Sequence, residues 1–528
     1  MPGVSNFRSI ISRAWPGALV GLIAGFCALA VAELVAALVR PPAGPVTVVG
    51  GAVIDRTPAV VKDFAIRTFG ESDKTALQLG ILAVLALIAM GLGMVALRRR
   101  HVGAAGILLF GVVGSVAALS RPDAGRIDVL PSATGALGGA AALYLLAAKP
   151  SIEPSRVPQD GDGKGGWSRR GFLTTAAVTA GAAVGIGVLG RFLGGQQGQS
   201  AVASRNNLAL PAPVSPAPSV PAGARLRVPG ISPFITPNRD FYRVDTALVV
   251  PKVDADTWRL RIHGKGVTRS RTYTLSELLN RPLIERDITL TCVSNEIGGP
   301  YTGNARWLGI PLGELLAECG VKPPSTGGPA DQLVARSVDG MTLGSPLEDV
   351  MDGRDAMLAV GMNGEPLPFD HGFPVRMLVP GLYGYVSACK WIESIELTTF
   401  DAYDPYWVKR RWARRAPVKT QSRIDTPKPF ARPAVGTVTV AGVAWAQHRG
   451  ISRVQIRIDD GPWQDADLAA QDTTDTWRQW SYRWQATPGG HHLTVRATDG
   501  TGQVQTEQRT RTVPDGASGR HGVFVTVT

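Results

Sequence analysis

Five stretches in the first 195 residues suit a membrane-spanning helix bundle and little else. Apolar spans run at about Gly17 to Val39, Ala76 to Leu97, Val102 to Leu119, Leu130 to Ala148 and Phe172 to Leu193. Each is near the length of roughly 20 residues that crosses a hydrocarbon core. A backbone in lipid must satisfy its own hydrogen bonds, so the expectation is five transmembrane helices. Gly and Ala are abundant in these spans, which suits close helix packing where no hydrophobic force separates helix from lipid. The alternative, buried helices of a large soluble protein, is disfavoured by how little charge and how little amphipathic pattern the spans carry.

The flanking charges give the orientation. Arg8 and Arg13 precede the first span, Arg98, Arg99 and Arg100 separate the second from the third, and Lys149, Arg156, Lys164, Arg169 and Arg170 separate the fourth from the fifth. All three groups fall on one side, which the bias of Lys and Arg makes cytoplasmic. Everything after Leu193 is then expected outside, with the outer loop from Val46 to Gly70 lying on the membrane as an amphipathic helix. Glu33 lies inside the first span near its outer end, where snorkelling is cheap. A haem between helices needs axial ligands, commonly paired histidines, and the one His before Ala201 is His101, in a cytoplasmic loop. No integral haem is expected.

The formal net charge of +13 would suit nucleic acid or an anionic membrane surface. The basic residues are scattered or grouped beside the apolar spans and no nucleic-acid motif is present, which excludes nucleic acid as the expected partner. Cys27, Cys292, Cys319 and Cys389 form no close pair of the kind that a zinc site or a redox motif needs.

Beyond the spans, the chain from Gln196 to Pro229 is polar and then rich in Pro, Ala and Ser. It reads as a semi-extended spacer lifting the next domain off the bilayer. Residues 230–428 interleave strand-like runs (Trp258 to Ile262, Leu333 to Val338) with helix-like ones (Leu275 to Leu279, Leu312 to Cys319), an α+β pattern. Residues 429–528 carry strand-like runs at Gly436 to Val443, Ile451 to Ile458, Trp480 to Trp484, His492 to Ala497 and Val523 to Val527. Turn residues such as Asp459-Asp-Gly461 and Pro488-Gly-Gly490 punctuate them, as in an immunoglobulin-like sandwich. His491 and His492 are adjacent in a strand and so face opposite ways, which does not make one metal site.

Chemistry concentrates between Asp287 and Leu316. The alternation of Ile288 and Leu290 reads as a strand ending at Cys292, followed by a Gly-rich loop and a helix from Pro311. A lone Cys is most often a small buried hydrophobe, and spacing alone does not make this one a ligand. The segment Cys292-Val-Ser-Asn-Glu-Ile-Gly-Gly, followed by Gly303-Asn-Ala-Arg-Trp-Leu-Gly-Ile-Pro-Leu312, resembles the core of the sulfite-oxidase family of molybdenum enzymes. Met362 to Arg376, containing His371-Gly-Phe-Pro-Val-Arg376, then Val379-Pro-Gly-Leu-Tyr-Gly and Lys390-Trp391, resemble the same family further on.

That resemblance, covering roughly Ser232 to Thr528, implies a molybdenum-molybdopterin cofactor with Cys292 as its soft thiolate metal ligand. It implies pterin contacts from Asn238, Tyr242 and Arg243, and a phosphate pocket of His371, Arg376, Ser387 and Lys390. Arg376 and Lys390 stand one residue further apart than the family's spacing, which puts the role of Cys389 in doubt. Sulfite-oxidising members place arginine soon after the metal cysteine, where this chain has Asn295, Glu296 and Ile297. Arg306 and Tyr406 are therefore the expected substrate contacts, the latter within an aromatic and basic run from Tyr403 to Arg415. The last domain resembles the family's dimerisation domain, so a homodimer is expected.

Ser168-Arg169-Arg170-Gly171-Phe172-Leu173 resembles a twin-arginine export signal, which would make the twin-arginine translocase a partner. A cofactor inserted in the cytoplasm crosses only inside a folded domain, so signal and cargo explain each other. No small-residue cleavage site stands out after Gly195, and the fifth span is expected to remain as an anchor. The leading expectation is a membrane-anchored oxidoreductase acting on a small substrate outside the cytoplasmic membrane. The rival is a membrane sensor or scaffold that keeps the fold without turnover.

Overall fold

The computed structural model describes residues 3–57, 61, 73–121, 124–148 and 169–528. It divides into two compact units, residues 1–200 with 247–250, and residues 201–246 with 251–528.

The first unit is helical: α1 (Gly3–Val39), α2 (Pro45–Arg56), α3 (Asp73–Ala96), α4 (Arg100–Leu119), α5 (Leu130–Leu146) and α6 (Arg169–Asn206). Among the described residues five helices are long and apolar enough to cross a membrane, over Trp15–Val39, Lys74–Ala96, Arg100–Leu119, Arg126–Leu146 and Thr174–Asn206. Small residues let the backbones touch. A Cβ on Gly21 would lie 1.9 Å from the Ala89 carbonyl oxygen, and one on Gly93 2.1 Å from that of Gly17, so α1 and α3 meet at a glycine seam. Arg40 pairs with Asp128, which also caps the N–H of Gly125 at 2.8 Å. Part of the outer loop expected over Val46 to Gly70 forms α2; its residues 58–60 and 62–70 lie outside the described residues, as do Ser168 and the basic Lys149, Arg156 and Lys164. Arg169 and Arg170 open α6.

The second unit opens with the end of α6 and then an extended arm. The expected spacer is here part of the domain. The Val214 N–H donates to Leu283 O at 2.9 Å, and the Glu285 N–H donates to Ser215 O at 2.9 Å, so the arm runs beside the start of the strand that follows. Leu208, Leu210 and Val220 pack against the core. Proline-rich chain favours extended backbone whether or not it is bound, and the backbone bonds to Leu283 and Glu285 with partial burial of these three side chains decide in favour of docking.

The strands in chain order are β1 (Arg259–Gly264), β2 (Arg271–Thr274), β3 (Ile284–Thr291), β4 (Thr302–Pro311), β5 (Gln332–Ser337), β6 (Thr342–Pro346), β7 (Met357–Met362), β8 (Glu365–Pro366), β9 (Arg376–Leu378) and β10 (Ile392–Thr398). They form one sheet ordered β2-β1-β10-β5-β6 and another ordered β3-β4-β7-β8, with β9 on β7. Short helices α7 (Leu275–Leu279), α8 (Leu312–Glu318), α9 (Leu347–Met351) and α10 (Gly384–Ser387) connect them. The start of α7 is set by a reciprocal cap. The Glu277 N–H donates to Thr274 Oγ1 at 3.1 Å, while the Thr274 N–H donates to Glu277 Oε2 at 2.7 Å. Trp307, Ile288 and Phe373, all with relative exposure of 1 % or less, sit in the core of this part.

The remaining strands are β11 (Gln421–Thr426), β12 (Gly436–Trp445), β13 (Ile451–Ile458), β14 (Gln464–Asp465), β15 (Asp467–Leu468), β16 (Arg478–Ala486), β17 (Gly489–Asp499) and β18 (His521–Val527). They make two four-stranded sheets, β11-β12-β16-β15 and β14-β13-β17-β18. Val440, Trp480 and Trp484 of the first meet Val454, Ile456, Val495 and Val525 of the second in one core. His491 is held by Asp459 at 2.8 Å and His492 by Thr494 at 3.1 Å.

Candidate functional site

Cys292 is the first residue past β3. Its N–H donates to Tyr301 O at 2.9 Å, closing the loop between β3 and β4 at its base. Inside that loop the Asn295 side-chain oxygen accepts from the Tyr301 N–H at 2.8 Å, so Asn295 fixes the turn. Gly298 turns with φ 75°, and a Cβ there would meet the His521 ring at 2.2 Å, which explains glycine at this point. The Cys292 sulfur accepts from the Ser294 N–H at 3.4 Å, and burial pushes its thiol up against the opposing pull of that donor and of Lys390.

The thiol opens onto a cavity lined also by Phe241, Tyr242, Val244, Asp245, Ser337, Asp339, Met341, His371, Arg376, Tyr385, Ala388, Lys390, Trp391, Trp407 and Trp412. Arg376 stands at the start of β9, 5 % exposed, with its guanidinium 5.0 Å from the Trp307 ring centre. Its Nη1 donates to His371 O at 3.2 Å, while its Nε meets no hydrogen-bond partner among the described residues. Burial pushes this guanidinium down to about 10. His371 ends a tight turn before Gly372, whose φ is 107°. Its Nε2 faces the Asn238 carbonyl oxygen at 3.0 Å and so carries the proton. Burial, and then the Arg376 charge, lower it to about 4, so the ring is neutral near pH 7.

Lys390 Nζ donates to Asp245 Oδ2 at 2.9 Å and to Asp370 O at 3.1 Å. Burial pushes it down to about 8, Asp245 opposing. Arg243 reaches the same Asp245 oxygen at 3.0 Å and Asp370 Oδ1 at 3.0 Å. Asp245 thus ties two cations together from a nearly closed position, its side chain 3 % exposed. Tyr242 lies on the cavity wall, stacked on Phe241 at 5.2 Å, with its phenol pushed up by burial.

Cys292, Tyr242, His371, Arg376 and Lys390 therefore meet at one cavity, with Arg243 just behind. Other expected residues stand elsewhere. Asn238 bonds Glu365 and Asn363 through its side chain and reaches the site only through its carbonyl oxygen on His371. Ser387 is fully buried and donates to Leu382 O and Tyr383 O, both at 3.1 Å, fixing the turn at α10. Arg306 does not line the cavity. It grips Asp287 through Nε at 2.9 Å and Nη2 at 2.7 Å, and Nη2 also reaches Pro218 O at 3.0 Å. Tyr406 is buried under Arg410 at 3.4 Å, and its neighbour Trp407 is the wall residue instead. Cys389 is a core thiol, 0 % exposed and pushed up by burial.

Sequence reasoning missed Asp245, Asp339 and Ser337, while Trp412 lines the cavity from within the expected aromatic and basic run. Asp245 could have been found two residues past Arg243, where a buried basic cluster demands a counter-charge.

Residues 247–407 match the family described as the oxidoreductase molybdopterin binding domain. Human mitochondrial sulfite oxidase is 30% identical over 318 residues, which cover 52% of this chain and 57% of the human protein. The chain thus spans little more than half the length of that relative. Sulfite oxidase of Gallus gallus is 30% identical over 321 residues, covering 52% of this chain and 68% of the chicken protein. Nitrate reductase [NADH] 1 of Oryza sativa is 33% identical over 199 residues, 33% of this chain and 21% of its own. With more than two thirds of the chicken enzyme matched at this identity, the chain belongs to the sulfite oxidase family of molybdopterin-dependent oxidoreductases.

Proposed function

We propose that this protein is a membrane-anchored oxidoreductase whose molybdopterin domain works outside the cytoplasmic membrane on a small substrate. The observation that carries the reading is Arg376, a buried cation whose Nε meets no hydrogen-bond partner among the described residues, on the wall of the cavity that also receives the Cys292 thiol. A buried guanidinium with no counter-charge and an unsatisfied Nε is costly, and an anionic cofactor tail would remove that cost. The residues fit the group. Cys292 supplies a soft sulfur, from which metal binding displaces the proton that burial retains. Arg376, Lys390, His371 and Arg243 would hold the terminal phosphate, Arg offering the planar fork that suits it. The bound cofactor supplies two-electron chemistry, in the form of oxygen-atom transfer.

The chain's own residues do the rest. Asp245 keeps Lys390 and Arg243 together and charged. The Asn238 carbonyl holds His371 in one tautomer. Trp407, Trp412 and Tyr385 narrow the approach and exclude water. The five apolar helices and the basic residues beside them support anchoring with the amino terminus in the cytoplasm. The two-sheet carboxy-terminal part reads as an immunoglobulin-like sandwich suited to homodimer contact, and the electron partner is external.

Molybdenum analysis of the full chain, purified in detergent from a host that makes the cofactor, tests this. About one metal per chain in the wild type and little in Cys292→Ser is the expected result. A metal-free wild type would favour the sensor or scaffold reading and sink the enzyme.

A further inference from the structure

This inference rests on the oxidoreductase reading and concerns what the site admits. Four charged side chains line the cavity around Cys292: Arg376 and Lys390 against Asp245 and Asp339. Behind them Arg243 and Asp370 pair at 3.0 Å, so cations and carboxylates cancel there too. His371 adds no charge near neutral pH. A molybdopterin ends in a phosphate that brings about two negative charges. The cations of the cavity are those placed to hold it, so the loaded site has no cation to spare for a second anion.

The arginines nearby do not fill that gap. Arg306 is clasped by Asp287, Arg414 by Asp404 at 2.9 Å, and Arg415 lies over Phe400 at 5.7 Å. None of them, nor Arg410, lines the cavity. The free wall is aromatic and apolar instead. Tyr385 and Trp412 stand 5.5 Å apart and Trp407 and Trp412 6.1 Å apart, with Met341 and Val244 beside them.

We propose that the site selects an uncharged small substrate with an apolar body and discriminates against oxyanions such as sulfite and nitrate. Like charge in a water-poor site costs an oxyanion several-fold in affinity or more, whereas a neutral molecule gains from burial against indole and phenol rings.

Calorimetric binding to the purified molybdenum-loaded full chain tests this, with methyl phenyl sulfoxide and pyridine N-oxide as neutral probes and sulfite and nitrate as anions. At least one neutral probe should bind about tenfold tighter than either anion, with little dependence on salt. Val244 is 41 % exposed on the cavity wall, and Val244→Arg should add the missing cation. In that variant sulfite binding should strengthen by about tenfold and become salt-dependent, with molybdenum content unchanged. Tighter binding of sulfite or nitrate than of both neutral probes by the wild type, no binding of either neutral probe, or a Val244→Arg protein that gains no anion binding each overturns the proposal. Molybdenum content, measured on the same samples, separates these outcomes from a failure of the oxidoreductase reading itself.

Discussion

Arg376 and Arg306 show how differently two buried-facing arginines can be used. Arg376 lines the cavity with an Nε that meets no hydrogen-bond partner among the described residues, and truncation removes the cation that an anionic cofactor tail requires. Arg376→Ala is expected to yield folded, cofactor-poor protein by metal analysis and extracted pterin fluorescence; normal occupancy would refute the assignment. Arg306 instead neutralises Asp287, whose side chain is 2 % exposed. Arg306→Ala leaves that carboxylate buried beside Asp472 without its cation, at a cost of about 3 kcal/mol. It should lower the thermal midpoint while metal content stays near wild type, and a loss of molybdenum without a loss of stability would put Arg306 back in the site. His521 makes a pH prediction with a definite sign. Its Nδ1 accepts from the Ile424 N–H at 3.0 Å, and burial lowers it to about 4 in the folded state. The unfolded chain, with the ordinary value near 6.5, binds more protons across that window, so stability falls as pH drops from about 6.5 toward 4. His521→Gln should flatten the dependence of the unfolding midpoint on pH in that range, and an unchanged slope would exclude this ring as a contributor.

Individual elements divide into those whose signal is local and those fixed from a distance. Strand β3, the short α7 and the start of α8 were legible because alternation, the helix-like run Leu275 to Leu279 and the break at Pro311 all act within a few residues. The pairing of β3 with β4 was not. It sets Asp287 directly opposite Arg306, and register depends on both strands at once. That is why Arg306 read as a substrate contact and stands as a structural ion pair. Cys292, Tyr242, His371, Arg376 and Lys390, carried by matched motifs, line one cavity, whereas Asn238, Ser387 and Arg306 of the same motifs bond elsewhere, and Asp245 became visible only once separate segments were placed around that cavity. The arm from 207 to 229 lacked periodicity, so nothing in its composition distinguished a tether from a docked strand. Its anchor is Arg286, whose Nη1 donates to Ser215 O at 3.1 Å and Ser215 Oγ at 3.0 Å while Nε holds Asp355 at 2.9 Å. Arg286→Ala should destabilise by about 2 kcal/mol and open residues 207–229 to limited proteolysis. An arm cut equally fast in the wild type would mean that it is a free spacer after all.

The whole molecule joins helices long and apolar enough to cross a membrane to a domain whose cofactor is inserted in the cytoplasm. The proposal is that Arg169 and Arg170, which open α6, address the twin-arginine path and carry the folded domain across. A plain topology anchor would serve the membrane part equally well, since positive charge alone retains a flank in the cytoplasm. Replacing both by Lys separates the two roles. Lys keeps the charge and loses the planar guanidinium, so an anchor is barely disturbed and a receptor that reads guanidinium groups fails. The earlier spans have their own basic flanks, among them Arg98, Arg99 and Arg100, and should insert as before. Protease added outside intact spheroplasts should then reach the domain after Gly195 in the wild type and spare it in the double variant. Equal digestion in both would mean that export does not depend on this pair, and that the cofactor domain crosses by some other signal.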